Sequence, residues 1–340
     1  MKNIFKRFTL SGLTLCALTL ATTIQAAEVN LYTTREPGLI QPLLNDFSQS
    51  TGVKVNTIFV KEGLVERVKT EGRRSPADIL MTVDFGNLID LVENDLTQKV
   101  NSKVLDASIP ANLRAANGHW YALSMRARAV YASKERTPLT AFNYEDLADP
   151  KWKGKVCIRS GAHPYNTALI AAYIAHHGEA QAEQWLRGVK ANLARSASGG
   201  DRDVARDILG NICDLGIANT YYVGTMSNGD DRQKSWANAI NVVLPTFKNG
   251  GTHVNVTGAV LAKYSPNRKE AVQLLEFLAS DRGQAMYAQS GYEYPVNKSA
   301  KIDPIIAGFG PLKIDNIRLS DIAKYRKAAS LLVEKVQFDH

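Results

Sequence analysis

Long apolar runs are scarce in this 340-residue chain, and the one present lies at its start. It extends from about Phe8 to Ala21, short of the ~20 residues that a membrane-spanning helix needs. Before it stands the basic stretch Met1-Lys2-Asn3-Ile4-Phe5-Lys6-Arg7, and after it a small-residue region ending Gln25-Ala26-Ala27. That succession has the form of a secretory signal peptide, with residues 1–26 removed on export. A lipid anchor at Cys16 does not fit, because Leu15 rather than a small residue precedes it. The expected product is a soluble protein of the periplasm.

Blocks of basic residues are also missing. Removing Lys2, Lys6 and Arg7 lowers the formal charge from +8 to +5, and no Lys/Arg cluster remains to track a phosphate backbone, so no nucleic-acid partner is expected. The mild excess fits a basic cleft that attracts an anion or an anion-complexed metal. Cysteine is rare. Only Cys157 and Cys213 follow the leader; an oxidising compartment permits a bridge between them, but spacing leaves a bridge and two buried thiols equally open.

Enzyme signatures are absent as well. There is no His-Glu-x-x-His, no Gly-x-Ser-x-Gly, no P-loop and no Gly-x-Gly-x-x-Gly after a strand. None of the six histidines has zinc-site spacing. His176-His177 lie near a helix end, where they can satisfy terminal carbonyls. Tandem repeats and low-complexity tracts are lacking too, and no enzymatic activity is expected.

What is present is a repeated α/β alternation. The strand Val29 to Thr33 is followed by a helix with an apolar stripe of Leu39, Ile40, Leu43, Leu44 and Phe47, then strands over 53–60 and 78–83 separated by a short helix. This βαβαβ order predicts a parallel sheet covered by helices. A second region repeats the pattern, with strands at 155–159 and 215–219 and helices over 167–176, 180–191 and 204–209. Roughly 310 exported residues exceed one core, so two lobes with a cleft between them are expected. Residues 27–124 with about 250–299 form the first lobe, and about 125–249 with 300–340 the second. The chain crosses between them near 122–130 and 245–252.

Tyr221-Tyr222 stand where a strand gives way to a helix, a turn at which neighbouring side chains can share a cleft. Tyr165 follows the strand that carries Cys157, at the same structural level. Three phenols on loops at the carboxyl ends of strands can ligate one metal ion. A phenol, with an ordinary pKa near ~10, must lose its proton first, which selects a small, hard trivalent cation such as Fe3+. Three phenolates fill only half an octahedron. Arg126 or Arg128 can hold a small synergistic anion, carbonate or bicarbonate, by a bidentate fork. Glu36 can add a carboxylate from the other lobe. The competing reading is a receptor for an organic or oxyanion solute (thiamine, a polyamine or a phosphonate) stacked on the tyrosines.

Five stretches carry a family resemblance: Val29 to Arg35, Ser75 to Asp84, Arg126 to Tyr131, Tyr144 to Val156 and Ala218 to Gly224. In them the chain resembles the periplasmic ferric-binding proteins that feed ABC importers. The resemblance implies a type 2 periplasmic-binding fold, a monomer that delivers ferric iron, free or chelated, to an inner-membrane ABC permease, Tyr165, Tyr221 and Tyr222 as ligands, and Arg126 as the anion residue. Relatives often carry His or His-Tyr after the arginine, where this chain has Glu36-Pro37. Glu36 therefore replaces that ligand, or three tyrosines with anion and water suffice, as in the three-tyrosine subgroup.

Overall fold

The structure is a computed structural model that describes residues 27–297 and 299–340. The expected leader, residues 1–26 with Cys16, lies outside the described residues. The chain begins with β1 (Glu28–Thr33), α1 (Pro37–Thr51), β2 (Lys54–Phe59), α2 (Leu64–Glu71) and β3 (Ile79–Thr82). β1 lies between β2 and β3 and parallel to both. α1 buries Ile40, Leu43, Leu44 and Phe47, the expected stripe, and stops at Gly52, whose φ of 74° is left-handed.

After α3 (Phe85–Glu93), β4 (Thr97–Gln98) and α4 (Lys103–Ser108) comes β5 (Tyr121–Ser133), a 13-residue strand buried along its whole length. The second region follows as β6 (Val156–Cys157), α5 (Pro164–His177), α6 (Glu179–Ala191), α7 (Asp201–Leu209), β7 (Leu215–Asn219), α8 (Tyr221–Ser227), α9 (Asp231–Ala239) and β8 (Ile240–Val243). The chain then returns through β9 (Val254–Ala262), α10 (Arg268–Ala279), α11 (Asp281–Gly291) and β10 (Tyr294–Pro295), and closes with α12 (Pro304–Ala307), α13 (Leu319–Ala323) and α14 (Arg326–Lys335).

β5 joins the two regions. Through Ala127 it pairs with β9, which continues antiparallel onto β3; from Arg128 it pairs with β7 and from Val130 with β8. The strand order is β2-β1-β3-β9-β5-β7-β6. The sheet is therefore mixed, not purely parallel, because the returning strand wedges in antiparallel between the βαβαβ unit and β5. The strand expected at 155–159 shortens to β6, and the helix after it starts earlier, at Pro164, whose ring supplies a helix-compatible φ. Cys157 and Cys213 are bonded, with Cα atoms 5.8 Å apart, linking the end of β6 to the turn just before its parallel neighbour β7. No helix among the described residues is long and apolar enough to cross a membrane.

Candidate metal centre

The carboxyl ends of the parallel strands in both regions face one cleft, where ligands of open α/β sheets bind. It holds a cavity of about 270 Å³ lined by Thr34, Arg35, Glu36, Leu39 and Val83 from the first region, Tyr165, Arg202, Tyr221, Tyr222 and Thr225 from the second, and Arg126, Gly291 and Glu293 between them. The three tyrosines, Glu36 and Arg126 are thus brought together.

Each tyrosine sits in the first turn of a helix rather than on the preceding loop. Tyr165 follows Pro164 in α5, where the His163 ring caps the turn by accepting the Tyr165 N–H at Nδ1, 3.2 Å away. Burial and the nearby Arg159 and Arg128 push the His163 pKa down to about 4, which leaves Nδ1 free to accept. Tyr221 and Tyr222 open α8 directly after β7, their rings 4.1 Å apart. Burial, then the neighbouring Tyr165 and Tyr222 oxygens, push the Tyr221 pKa well above its ordinary value. Burial and Asp201 raise that of Tyr222. Without a cation in their midst, both phenols hold their protons at neutral pH.

Guanidinium groups surround the phenols. Arg126 and Arg159 lie 5.4 and 5.3 Å from the centre of the Tyr165 ring, and Arg202 lies 5.5 Å from that of Tyr222. Arg126 is 1 % exposed and has no carboxylate within 4.0 Å among the described residues. Among the described residues its side chain bonds only the Thr257 hydroxyl at 3.2 Å and the Val256 carbonyl at 3.5 Å, and its Nε has no partner there. Arg35, assigned no role from the sequence, donates to Glu293 at 2.9 Å and to Thr257 at 3.1 Å. Burial alone would raise the Glu293 pKa, but Arg35, Arg126 and a hydrogen bond from Ser124 outweigh it and keep the carboxyl ionised. A Cβ at position 291 would stand 2.8 Å from Arg35 Nη2, so Gly291 leaves room for this pair.

Arg128 is a correction. It does not line the cavity: its Nη1 donates to Asp201 at 2.6 Å, and its Nη2 to Asn166 Oδ1 at 2.6 Å. Two residues along a strand is about 6–7 Å, which carries Arg128 past the cleft and under α5 and α7. There it supports the tyrosines instead. Asn166 follows Tyr165 in α5, and Asp201 also accepts the Asn219 N–H at 2.8 Å, at the end of β7 just before Tyr221-Tyr222. The histidine pair departs as well: His176 bonds Asp315 and His177 bonds Glu145, each at 2.8 Å, instead of capping carbonyls.

These features define a two-lobed α/β solute receptor with a polar, phenol-lined cleft. The family model described as bacterial extracellular solute-binding protein matches residues 74–308. The chain is similar to a Bordetella ferric binding protein of solved structure (62 % identity, 92 % of this chain and 100 % of that one, TM-score 0.88). It also resembles a Trichodesmium protein solved in complex with iron and citrate ligands (36 %, 92 % and 100 %, TM-score 0.87) and iron uptake protein A1 of Synechocystis (39 % identity over 298 residues, 87 % of this chain and 83 % of that protein). The chain belongs to the ferric iron-binding and iron-uptake family of bacterial solute-binding proteins.

Proposed function

We propose that this protein captures ferric iron in the periplasm through the phenolates of Tyr165, Tyr221 and Tyr222 and delivers it to an ABC permease in the inner membrane. The observation that carries the reading is the meeting of three phenols beside Arg126, a buried cation that forms no ion pair within 4.0 Å among the described residues, the nearby Glu293 being paired with Arg35. Three phenolates balance a trivalent ion, so the phenols and iron together are neutral. Arg126 then calls for one further anion, and carbonate or bicarbonate fits its bidentate fork. The Arg35–Glu293 pair is neutral by itself, and the exposed Arg202 and Glu36 that also line the cavity carry opposite charges, so neither pair changes this count.

Binding exchanges protons for metal. The raised pKa values of Tyr221 and Tyr222 keep divalent ions, which polarise a phenol weakly, at a disadvantage, while Fe3+ displaces the protons. Cargo and anion dock on the second lobe, about 125–249 with 300–340. The first lobe, 27–124 with about 250–299, closes over them by rotation about β5 and the return into β9, bringing Glu36 to the metal's open side. The permease then selects the closed form, and the receptor acts as a monomer without turnover.

The test is a visible absorption spectrum with metal analysis, before and after addition of ferric citrate and bicarbonate. Ligation by phenolates gives a red-orange charge-transfer band at one iron per chain. A colourless protein in excess ferric salt and bicarbonate overturns the reading.

A further inference from the structure

Two of the three phenols share one helix start, so their mutual spacing is fixed by α8 alone. Tyr165 lies on a separate element, and its distance to the others depends on the turn between β6 and α5. That turn is held from far away in the sequence. The Asp339 carboxylate accepts the Ser160 hydroxyl at 2.6 Å, the Gly161 N–H at 2.6 Å and the Ala162 N–H at 3.3 Å, across a sequence separation of up to 179 residues. One carboxylate taking three donors fixes the plane of the turn as well as its position.

Neighbouring contacts reinforce the clasp. A Cβ at Gly161 would stand 2.7 Å from Phe338 Cδ1 and 3.1 Å from Val333 Cγ1, so the turn lies flush against the tail after α14. The tail is anchored in its turn by Lys190 Nζ, which donates to the carbonyls of Gln337 at 2.6 Å and Val336 at 3.1 Å. On the other side the Thr167 hydroxyl donates to the Gly161 carbonyl at 3.2 Å. A shift of the turn is thereby passed into the first turn of α5, where Tyr165 resides.

We propose that Asp339 is a positioning residue for the metal site: its clasp on the turn sets the angle at which the Tyr165 phenol enters the cleft. This rests on the assignment of Tyr165 as a ligand above. Ligand sets of this kind work only when their supports hold them to a fraction of an ångström, and Tyr165 is the ligand whose support is least local.

The test is a double-mutant cycle on the full chain. Iron transfer to a competing chelator and the visible band are followed for wild type, Asp339→Asn, Asp339→Ala, Tyr165→Phe, and Tyr165→Phe with Asp339→Ala, with thermal unfolding as a check of fold. Loss of a partner bonded directly to a ligand typically weakens a metal site about 10–100-fold. Asp339 acts one step further away, through the turn, so Asp339→Ala is expected to release iron faster by up to about tenfold and to shift the band, with Asp339→Asn between it and wild type. In the Tyr165→Phe background Asp339→Ala should add less than about twofold, because its route to the metal is already gone. Equal effects in both backgrounds, or wild-type release and spectrum in a folded Asp339 variant, overturn the proposal. If Asp339→Ala does not fold, Asp339→Asn, which keeps the volume and one acceptor, completes the same cycle. A wild-type protein that takes up iron without a phenolate band sinks the ligand assignment and this inference together, whereas a coloured wild type with unaltered Asp339 variants sinks this inference alone.

Discussion

The two walls of the cleft are built differently. The second region offers three phenols, each in the first turn of a helix and each braced behind: Arg128, Asp201 and Asn166 tie β5, α5 and the end of β7 together, and the Cys157–Cys213 bond ties β6 to the turn that enters β7. Among the described residues, the first region offers no phenol to the cavity. It contributes the exposed Glu36 at the start of α1 and the buried Arg35, which is paired with Glu293 between the regions. On the proposed reading, one wall is a preorganised ligand set and the other an electrostatic cover. Capture and closure are then separable steps, and substitutions on the two walls should act on different quantities.

The largest effect belongs to pH, because it acts on the phenols together. Tyr221 and Tyr222 have raised pKa values, so in the metal-free site these two hold their protons throughout the neutral range and must release them as iron binds. Affinity therefore falls as pH falls, by up to about a thousandfold per pH unit if three phenols ionise on binding. Competition against a chelator of known protonation behaviour at several pH values measures the slope; a slope near zero after correction would show that phenolates are not the ligands.

Next comes removal of one phenol. Tyr222→Phe keeps the ring beside Tyr221 and loses only the oxygen. It should weaken iron binding by more than the ~10–100-fold typical of an outer-shell partner and diminish the charge-transfer band. Binding titrations with an intact band would contradict this.

The bracing behind the phenols should show itself first in stability. Asp201→Asn leaves Arg128, 2 % exposed, and Arg159 without their counter-charge. Breaking a buried pair in this way typically costs about 3–5 kcal/mol. Denaturant unfolding measures it, and a loss below about 1 kcal/mol would mean that the guanidinium groups find water or other acceptors.

The ligand wall was more legible in the sequence than its supports. Tyr165 and Tyr221-Tyr222 could be placed because each opens the helix that follows a strand, and local pattern fixes which end of a sheet such residues reach. Arg128 was misread because strand parity gives a face but not a depth: Arg126 and Arg128 share a side of β5, yet only the first is at the cleft. Glu293 left no trace, since its partner Arg35 lies 258 positions away and nothing local marks the contact. The disulfide stayed undecided for the same reason, as it depends on β6 and β7 being neighbours.

Glu36→Ala is the smallest expected change and the sharpest probe of the difference between the walls. Glu36 lines the cavity but is exposed, and among the described residues its side chain makes no capping hydrogen bond at the start of α1. A carboxylate that must be ordered from solvent gives back much of its attraction to the metal in lost side-chain freedom. Its removal should therefore lower equilibrium affinity by less than about tenfold, of the order of a single solvent-screened charge contact. The kinetic effect should be lopsided. If the first wall acts as a cover, association of iron with the second lobe is unchanged and only escape from the closed form is faster, so stopped-flow traces should differ in the dissociation phase alone. A drop in affinity as deep as that of Tyr222→Phe would make Glu36 a full ligand and the two walls equal partners.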